Sequence, residues 1–457
     1  MQEAQRRRHG LVLALALGTA GCASGMTENT FFLEAVEPPV VEETEVLEPE
    51  PEVPEPEPEP EVVPETCPEG PVPLPESAYI PMDGALSTLL DPCTGVTHAT
   101  AGPRDSTLAV HLEDWDPTDP ARVWVEDLRG DVIAGPLDMV AGDHLSVDLA
   151  QSGEVLVRLE PTVPEVDDRT PYFLAVRCTD GCDTAFTRYP MVLMHGMAGT
   201  DAWLGIVDYF VDVENTLHNA GYIGIAPGVD AFNSVETRAL QWQEHLDVLE
   251  AEGVGRRFTL VGHSQGGLDA RYLASVLEDR RIAAIVTVGT PHRGTPIADL
   301  GVGILEGVPG LSWAVDAAID VFALLVGLGE AEFTAQVADL SQPAAAAFNE
   351  AVPDVDGIYM ASWAGRTCAR ADLICRGDND GEIADSVFDL TTTILDQLVG
   401  DSDGLVPVDS AVWGDFQGVL PADHIDQIGL TDPLTTAPLD HRAFYVDEAE
   451  RLADLGF

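Results

Sequence analysis

The chain has 457 residues, 45% of them hydrophobic, enough apolar material for two or three domains with sizeable cores. Its formal net charge is −57, from 79 acidic residues against 22 basic ones, and every basic residue is Arg. Such a surface repels nucleic acid and anionic headgroups, so no nucleic-acid partner is expected and the charge reads as a solubility feature.

Residues 1–22 read as a lipoprotein-type signal peptide. Arg6, Arg7 and Arg8 precede a short apolar run, Leu11 to Leu17, too short to span a bilayer. The run ends Gly18-Thr19-Ala20-Gly21-Cys22, similar to a bacterial lipobox in which Cys22 takes the lipid; an ordinary signal peptide is the alternative. Either way export is expected, with a membrane anchor at the cell envelope or surface in the first case and secretion in the second. Six cysteines remain: Cys67, Cys93, Cys178, Cys182, Cys368 and Cys375. An even number in an exported chain suggests disulfides, paired here between sequence neighbours, with Cys178–Cys182 bracketing an Asp-Gly turn.

Residues 23–76 read as a disordered linker. The run Pro54-Glu55-Pro56-Glu57-Pro58-Glu59-Pro60-Glu61 lacks half its backbone donors and repels itself, so it forms an extended spacer and no core. Residues 77–180 change character. Segments such as Arg122–Val125, Leu145–Leu149 and Val155–Leu159 alternate apolar and polar residues between Gly, Pro and Asp clusters, which predicts a small all-β, sandwich-like domain. Asp114, Asp116 and Asp119 match no standard calcium loop and read as a solvated turn.

From 181 to 457 the pattern is α/β. Met191–Met194, Phe258–Val261 and Ile282–Val288 are short apolar runs suited to buried parallel strands, with helical stretches at Val235–Leu249 and Leu268–Leu277. Gly262-His263-Ser264-Gln265-Gly266 falls between such a strand and a helix, the setting of the nucleophile elbow in the α/β-hydrolase fold. Ser264 is then the nucleophile. The amides of Gln265 and of Met197, in His195-Gly196-Met197 after an early strand, are the oxyanion donors. The fold orders its residues Ser, acid, His. Asp403 is the candidate acid, with Asp401 as the spare, and His424 the candidate base, with His441 as the fallback. His292 comes too early.

Taken in order, His195-Gly196-Met197, Leu260–Leu268, Val288–Thr295, Asp403-Gly404-Leu405-Val406 and His424-Ile425-Asp426 resemble the bacterial triacylglycerol lipase family, whose members are calcium-dependent and often foldase-assisted. The resemblance runs from about Tyr189 to the C-terminus. It implies Ser264, Asp403 and His424 as the triad, with a lipid or ester substrate and a dedicated foldase as partners. It also implies a structural Ca2+ on Asp426, the backbone carbonyls of Leu430 and Leu434, and an upstream Asp. Asp389 is the choice there, with Asp378, Asp380 and Asp385 competing. No organic cofactor is expected. The apolar stretch Leu300–Leu328 falls where the family inserts a helical lid, at about 299–345. The expected function is carboxylic ester hydrolysis, with triacylglycerol as the expected substrate. Alternatives are a short-chain esterase or acyltransferase on the same triad, or a catalytically silent surface lipoprotein that binds through its β domain.

Overall fold

The computed structural model describes residues 78–90, 95–115, 119–162, 170–199, 208–302, 336–369, 382–430 and 438–457. The signal peptide, the spacer, Cys22, Cys67, Cys93, Cys375, Asp378, Asp380, Leu434 and most of the expected lid lie outside them.

Eight antiparallel strands form the first layer pair: β1 (Ala85–Leu90), β2 (Val96–Gly102), β3 (Thr107–Trp115), β4 (Ala121–Glu126), β5 (Val132–Met139), β6 (His144–Asp148), β7 (Gly153–Pro161) and β8 (Thr170–Asp180). They make two four-stranded sheets, ordered β1-β8-β3-β6 and β2-β7-β4-β5. The alternation in the sequence is the cause. Along β4, Ala121, Val123 and Val125 are buried while Arg122 is exposed, and along β6 only Leu145 and Val147 point inward. The inner faces meet in a core containing Leu108, Val110, Leu112, Val157, Leu159 and Leu174. Cys178 and Cys182 are joined by a disulfide across the turn that ends β8, with Cα atoms 5.8 Å apart. Cys368 is also disulfide-bonded.

The second layer is a parallel six-stranded sheet in the order β10-β9-β11-β12-β13-β14. Its strands are β9 (Met191–Met194), β10 (Gly224–Ile225), β11 (Phe258–His263), β12 (Ile282–Val288), β13 (Tyr359–Gly365) and β14 (Asp415–Leu420). Every residue of β9, β11 and β12 is buried, as expected of strands covered on both faces. The covering helices include α1 (Val213–Asn219), α2 (Val235–Ala251), α3 (Gln265–Ser275) and a C-terminal helix, His441–Asp454. Ser234 caps α2 by accepting the Thr237 amide, and Asp440 caps the last helix through Ala443. Helix α3 begins at Gln265, three residues earlier than the apolar pattern alone predicts, because the turn at Ser264 launches it directly from β11.

The two layers touch along the amino-terminal edge of the parallel sheet. Glu154 of β7 takes Arg188, just before β9, at 2.8 Å and Arg256, just before β11, at 3.5 Å. Ser152 donates to the Gly221 carbonyl, and Arg188 lies 3.4 Å over the Tyr79 ring.

Candidate active site

The residues expected to act together gather at the carboxyl ends of the parallel strands. Ser264 closes β11 with φ 55° and ψ −127°, a left-handed conformation that costs a non-Gly residue on the order of 1–3 kcal/mol and that packing must hold in place. The turn also needs close backbone approach. A Cβ on Gly266 would collide with the Met194 carbonyl, and one on Gly196 would sit 2.6 Å from the Ser264 Cβ. These two glycines let β9, β11 and α3 converge on the serine.

His424 follows β14 in a loop and reaches back to Ser264, its Nε2 lying 3.0 Å from the serine Oγ. Its Nδ1 lies 2.7 Å from Asp403 Oδ2. All three side chains are buried or nearly so. Asp403 is held from every side. Oδ1 accepts the backbone amides of Leu405 at 3.0 Å and Val406 at 2.7 Å, Oδ2 accepts the Gln427 side-chain Nε2 at 3.0 Å, and the Asp403 carbonyl accepts the His424 backbone amide at 2.9 Å. The structure thus brings Ser264, His424 and Asp403 into one hydrogen-bonded line. It does not bring the reserves there: Asp401 is a surface residue paired with Arg366 at 3.3 Å, and His441 is tied to the Val211 carbonyl at 2.8 Å.

His263, the residue before the serine, joins the line from behind. Its Nε2 donates to the His424 carbonyl at 2.9 Å, which leaves Nδ1 to accept the Tyr209 hydroxyl at 2.8 Å. Burial pushes the His263 pKa well below 6.5, so the ring stays neutral in this role.

Met197 and Gln265 flank the serine, Met197 lining the cleft and Gln265 opening α3, whose first amides lack helical partners. The Met197 loop is pinned by a charge network absent from the sequence reading. Arg238 of α2 and Asp269 of α3 form a fully buried ion pair at 2.8 Å. Arg238 also donates to the carbonyls of His195, at 2.5 Å, and Asp230, at 2.6 Å, while Trp242 donates to Asp269. Burial pushes the Asp269 carboxyl up to about 6, with Arg238 opposing. His195 is held down to about 3 by burial and then by Arg238, so the ring is neutral: Nδ1 donates to the Gly196 carbonyl and Nε2 accepts the Val229 amide. No short-range pattern marks Arg238 or Asp269, which lie 31 residues apart. An Arg and an Asp on apolar helix faces were the only signal.

Above Ser264 opens a cleft that is continuous with solvent and lined mostly by apolar groups such as Ile297, Leu340, Phe388, Leu405, Ile425 and Leu430.

Behind His424 a second group converges. One carboxylate oxygen each from Glu382, Asp423 and Asp426 lie within 4.8 Å of one another, all three residues buried. Burial, then Asp426 and Asp423, raises Glu382 to about 9, and burial raises Asp423 well above the usual carboxylate range. The expected upstream ligand is corrected here. Asp389 opens the helix Asp389–Leu398 and is not in the group, whereas Glu382 is, together with Asp423, which the sequence reading passed over. Asp423 also braces the loop by accepting the amides of Asp385, Ile425 and Asp426. The Leu430 amide donates to the Ile425 carbonyl, closing the loop that carries His424.

With this geometry the molecule has the α/β-hydrolase fold, a parallel sheet with Ser264, Asp403 and His424 at its carboxyl edge, joined to an antiparallel β layer. Residues 190–302 match the family model described as palmitoyl protein thioesterase. By sequence the chain is similar to bacterial triacylglycerol lipases. It is 38% identical to that of Pseudarthrobacter phenanthrenivorans over 147 residues, 31% of this chain and 46% of the relative. It is 28% identical to that of Pseudomonas fragi over 299 residues, 60% of this chain and 99% of the relative. The chain therefore spans less than half the length of the relative it matches at higher identity. Staphylococcus hyicus lipase is 18% identical, with TM-score 0.42, covering 61% of this chain and 99% of that one. Among the described residues no helix is long and apolar enough to cross a membrane.

Proposed function

We propose that the chain is a serine carboxylic ester hydrolase that takes long acyl chains, triacylglycerols foremost. The observation that carries this reading is the buried line Ser264–His424–Asp403 set on a strained strand-to-helix turn beneath an apolar cleft. Ser264 Oγ attacks the ester carbonyl carbon as His424 Nε2 takes its proton. The oxyanion is met by the amides of Met197 and Gln265, and the imidazolium by Asp403. The C–O bond to the alcohol breaks as His424 returns that proton to the leaving oxygen. Water, deprotonated by the same imidazole, then attacks the acyl carbon, and the bond to Ser264 Oγ breaks as His424 returns the proton to Oγ and the acid leaves. A fluorophosphonate probe is expected to label Ser264. Ser264→Ala is expected to lose the label and to lower ester turnover by about 10⁴-fold or more; turnover within tenfold of the parent rejects the mechanism. Because residues 190–302 match a thioesterase description, an acyl thioester is the second substrate to test. Ratios of kcat/KM across ester and thioester chain lengths rank the two.

The buried carboxylates fit a hard cation of the Ca2+ class, since three converging oxygens need positive charge to remain ionised together. Glu382, Asp423 and Asp426 would hold it. When bound, it would neutralise their charge and brace the loop that places His424. Chelator is expected to lower both melting temperature and ester turnover, with added Ca2+ restoring both; no change in either removes the cation from the scheme. Export, a lipid on Cys22, the pairing of Cys67 with Cys93 and of Cys368 with Cys375, a lid and a foldase partner belong to the same proposal. Mass analysis of the exported, unreduced protein tests the first three.

A further inference from the structure

Nearly every described histidine has a hydrogen-bond partner. His98, His195, His218, His245, His292 and His441 each bond elsewhere in the protein, and His263 and His424 belong to the site above. Among the described residues, His111 and His144 have no hydrogen-bond partner and lie against each other, with Glu113 and Arg177 the charged groups beside His111. Their rings stack with centroids 5.1 Å apart and planes inclined by 28°.

The ladder explains why they meet. His111 on β3 and His144 on β6 are directly opposite in an antiparallel pair. The Leu112 amide donates to the Asp143 carbonyl at 3.0 Å, one residue past His111 and one before His144. The pair is therefore of the non-hydrogen-bonded kind, in which facing side chains stand closest. Strand β6 is an edge of its sheet, His144 is exposed and His111 half-buried, while the alternate residues Val110, Leu112 and Leu145 face the core.

We propose that His111 and His144 form a two-imidazole site for a borderline transition cation of the Cu2+, Ni2+ or Zn2+ class. The spacing suits it. A cation 2.0–2.1 Å from one nitrogen of each ring lies roughly 3.2 Å from each ring centre. Centroids 5.1 Å apart then subtend about 105° at the metal, close to a tetrahedral angle. Imidazole χ2 is a broad torsion, so ring rotation turns the nitrogens inward without moving the strands. Glu113, two residues along β3, is engaged by Arg177 at 3.4 Å, which leaves the other coordination positions to water. The site differs in kind from the three carboxylates behind His424. Paired imidazole nitrogens select late first-row ions, whereas carboxylate oxygens select Ca2+ or Mg2+.

The test titrates the full chain with Cu2+ in excess Ca2+ and reads nitrogen coordination by electron paramagnetic resonance. One equivalent with two-nitrogen hyperfine structure is expected. His144→Gln and His111→Gln are each expected to remove that pattern and weaken Cu2+ binding about tenfold or more. Both positions are at least partly exposed, and unchanged metal-free melting temperatures would show that the variants are folded. Cu2+ affinity and nitrogen count unchanged in both variants would place the copper elsewhere and overturn the proposal.

Discussion

The β-sandwich and the parallel-sheet layer treat buried polar groups in opposite ways. Among the described residues of the sandwich, most buried polar side chains are small, such as Thr97, Thr100 and Ser106, or neutral, as with His98 lodged between the Ala78 carbonyl and Tyr172; the charged Glu154, its side chain buried as well, serves the seam with the other layer. Around the parallel sheet, Arg238, Asp269, His263, Asp403, Asp423 and Glu382 are all buried, most of them near the carboxyl edge. The reason is where the backbone runs out of partners. Antiparallel ladders satisfy their own amides and need only apolar faces between them. Where parallel strands end, loops must turn inside protein, and side chains supply the missing donors and acceptors at a desolvation cost that only a working site offsets.

The sharpest way to break this contrast is Arg238→Ala. It strands the Asp269 carboxylate and frees the His195 carbonyl, so a loss of about 3–5 kcal/mol is expected in denaturant unfolding. The Met197 loop is then unpinned, and kcat is expected to fall in the fraction that stays folded. A stability change below 1 kcal/mol would show that this network is not what holds the Met197 loop. Leu112→Ala in the sandwich core is expected to cost about 2–5 kcal/mol, yet to leave kcat per folded molecule unchanged. A fall in kcat would mean that the sandwich helps to shape the cleft.

The smallest effect tests the buried histidines. His292 is fully buried; Arg271 donates to its Nδ1 and its Nε2 donates to Thr287, so burial and then Arg271 push its pKa well below 6.5. The unfolded chain takes up this proton near pH 6.5 and the folded one does not, so the histidine costs stability as pH falls below that value. His292→Gln removes the penalty. The gap in unfolding free energy between parent and variant is expected to change in the variant's favour by about 1.4 kcal/mol for each pH unit below 6. Parallel stability–pH curves would show that the ring is protonated in place.

How much was readable in advance followed the range of each signal. The elbow at Ser264 is local, a strand, a turn and a helix within a dozen residues, and its glycines announce the close approach. Asp403 and His424 were found through chain order, which the fold imposes. Glu382 was not, because a carboxylate in an acidic chain has no mark until loops from residues 382 and 423–426 are brought together. His263 stood in plain view inside the motif, but its bond to the His424 carbonyl spans 161 residues. Helix and strand periodicity cannot report such a contact, nor the register that sets His111 opposite His144.

The seam between the two layers has a practical consequence. Glu154, Arg188 and Arg256 join them at the amino edge of the parallel sheet, whereas Ser264 and its cleft open at the carboxyl edge. A fusion partner or solid support attached through the sandwich would sit behind the sheet and leave the mouth of the cleft facing outward. Antibodies raised against the outer face of the sandwich should therefore capture the protein without blocking turnover.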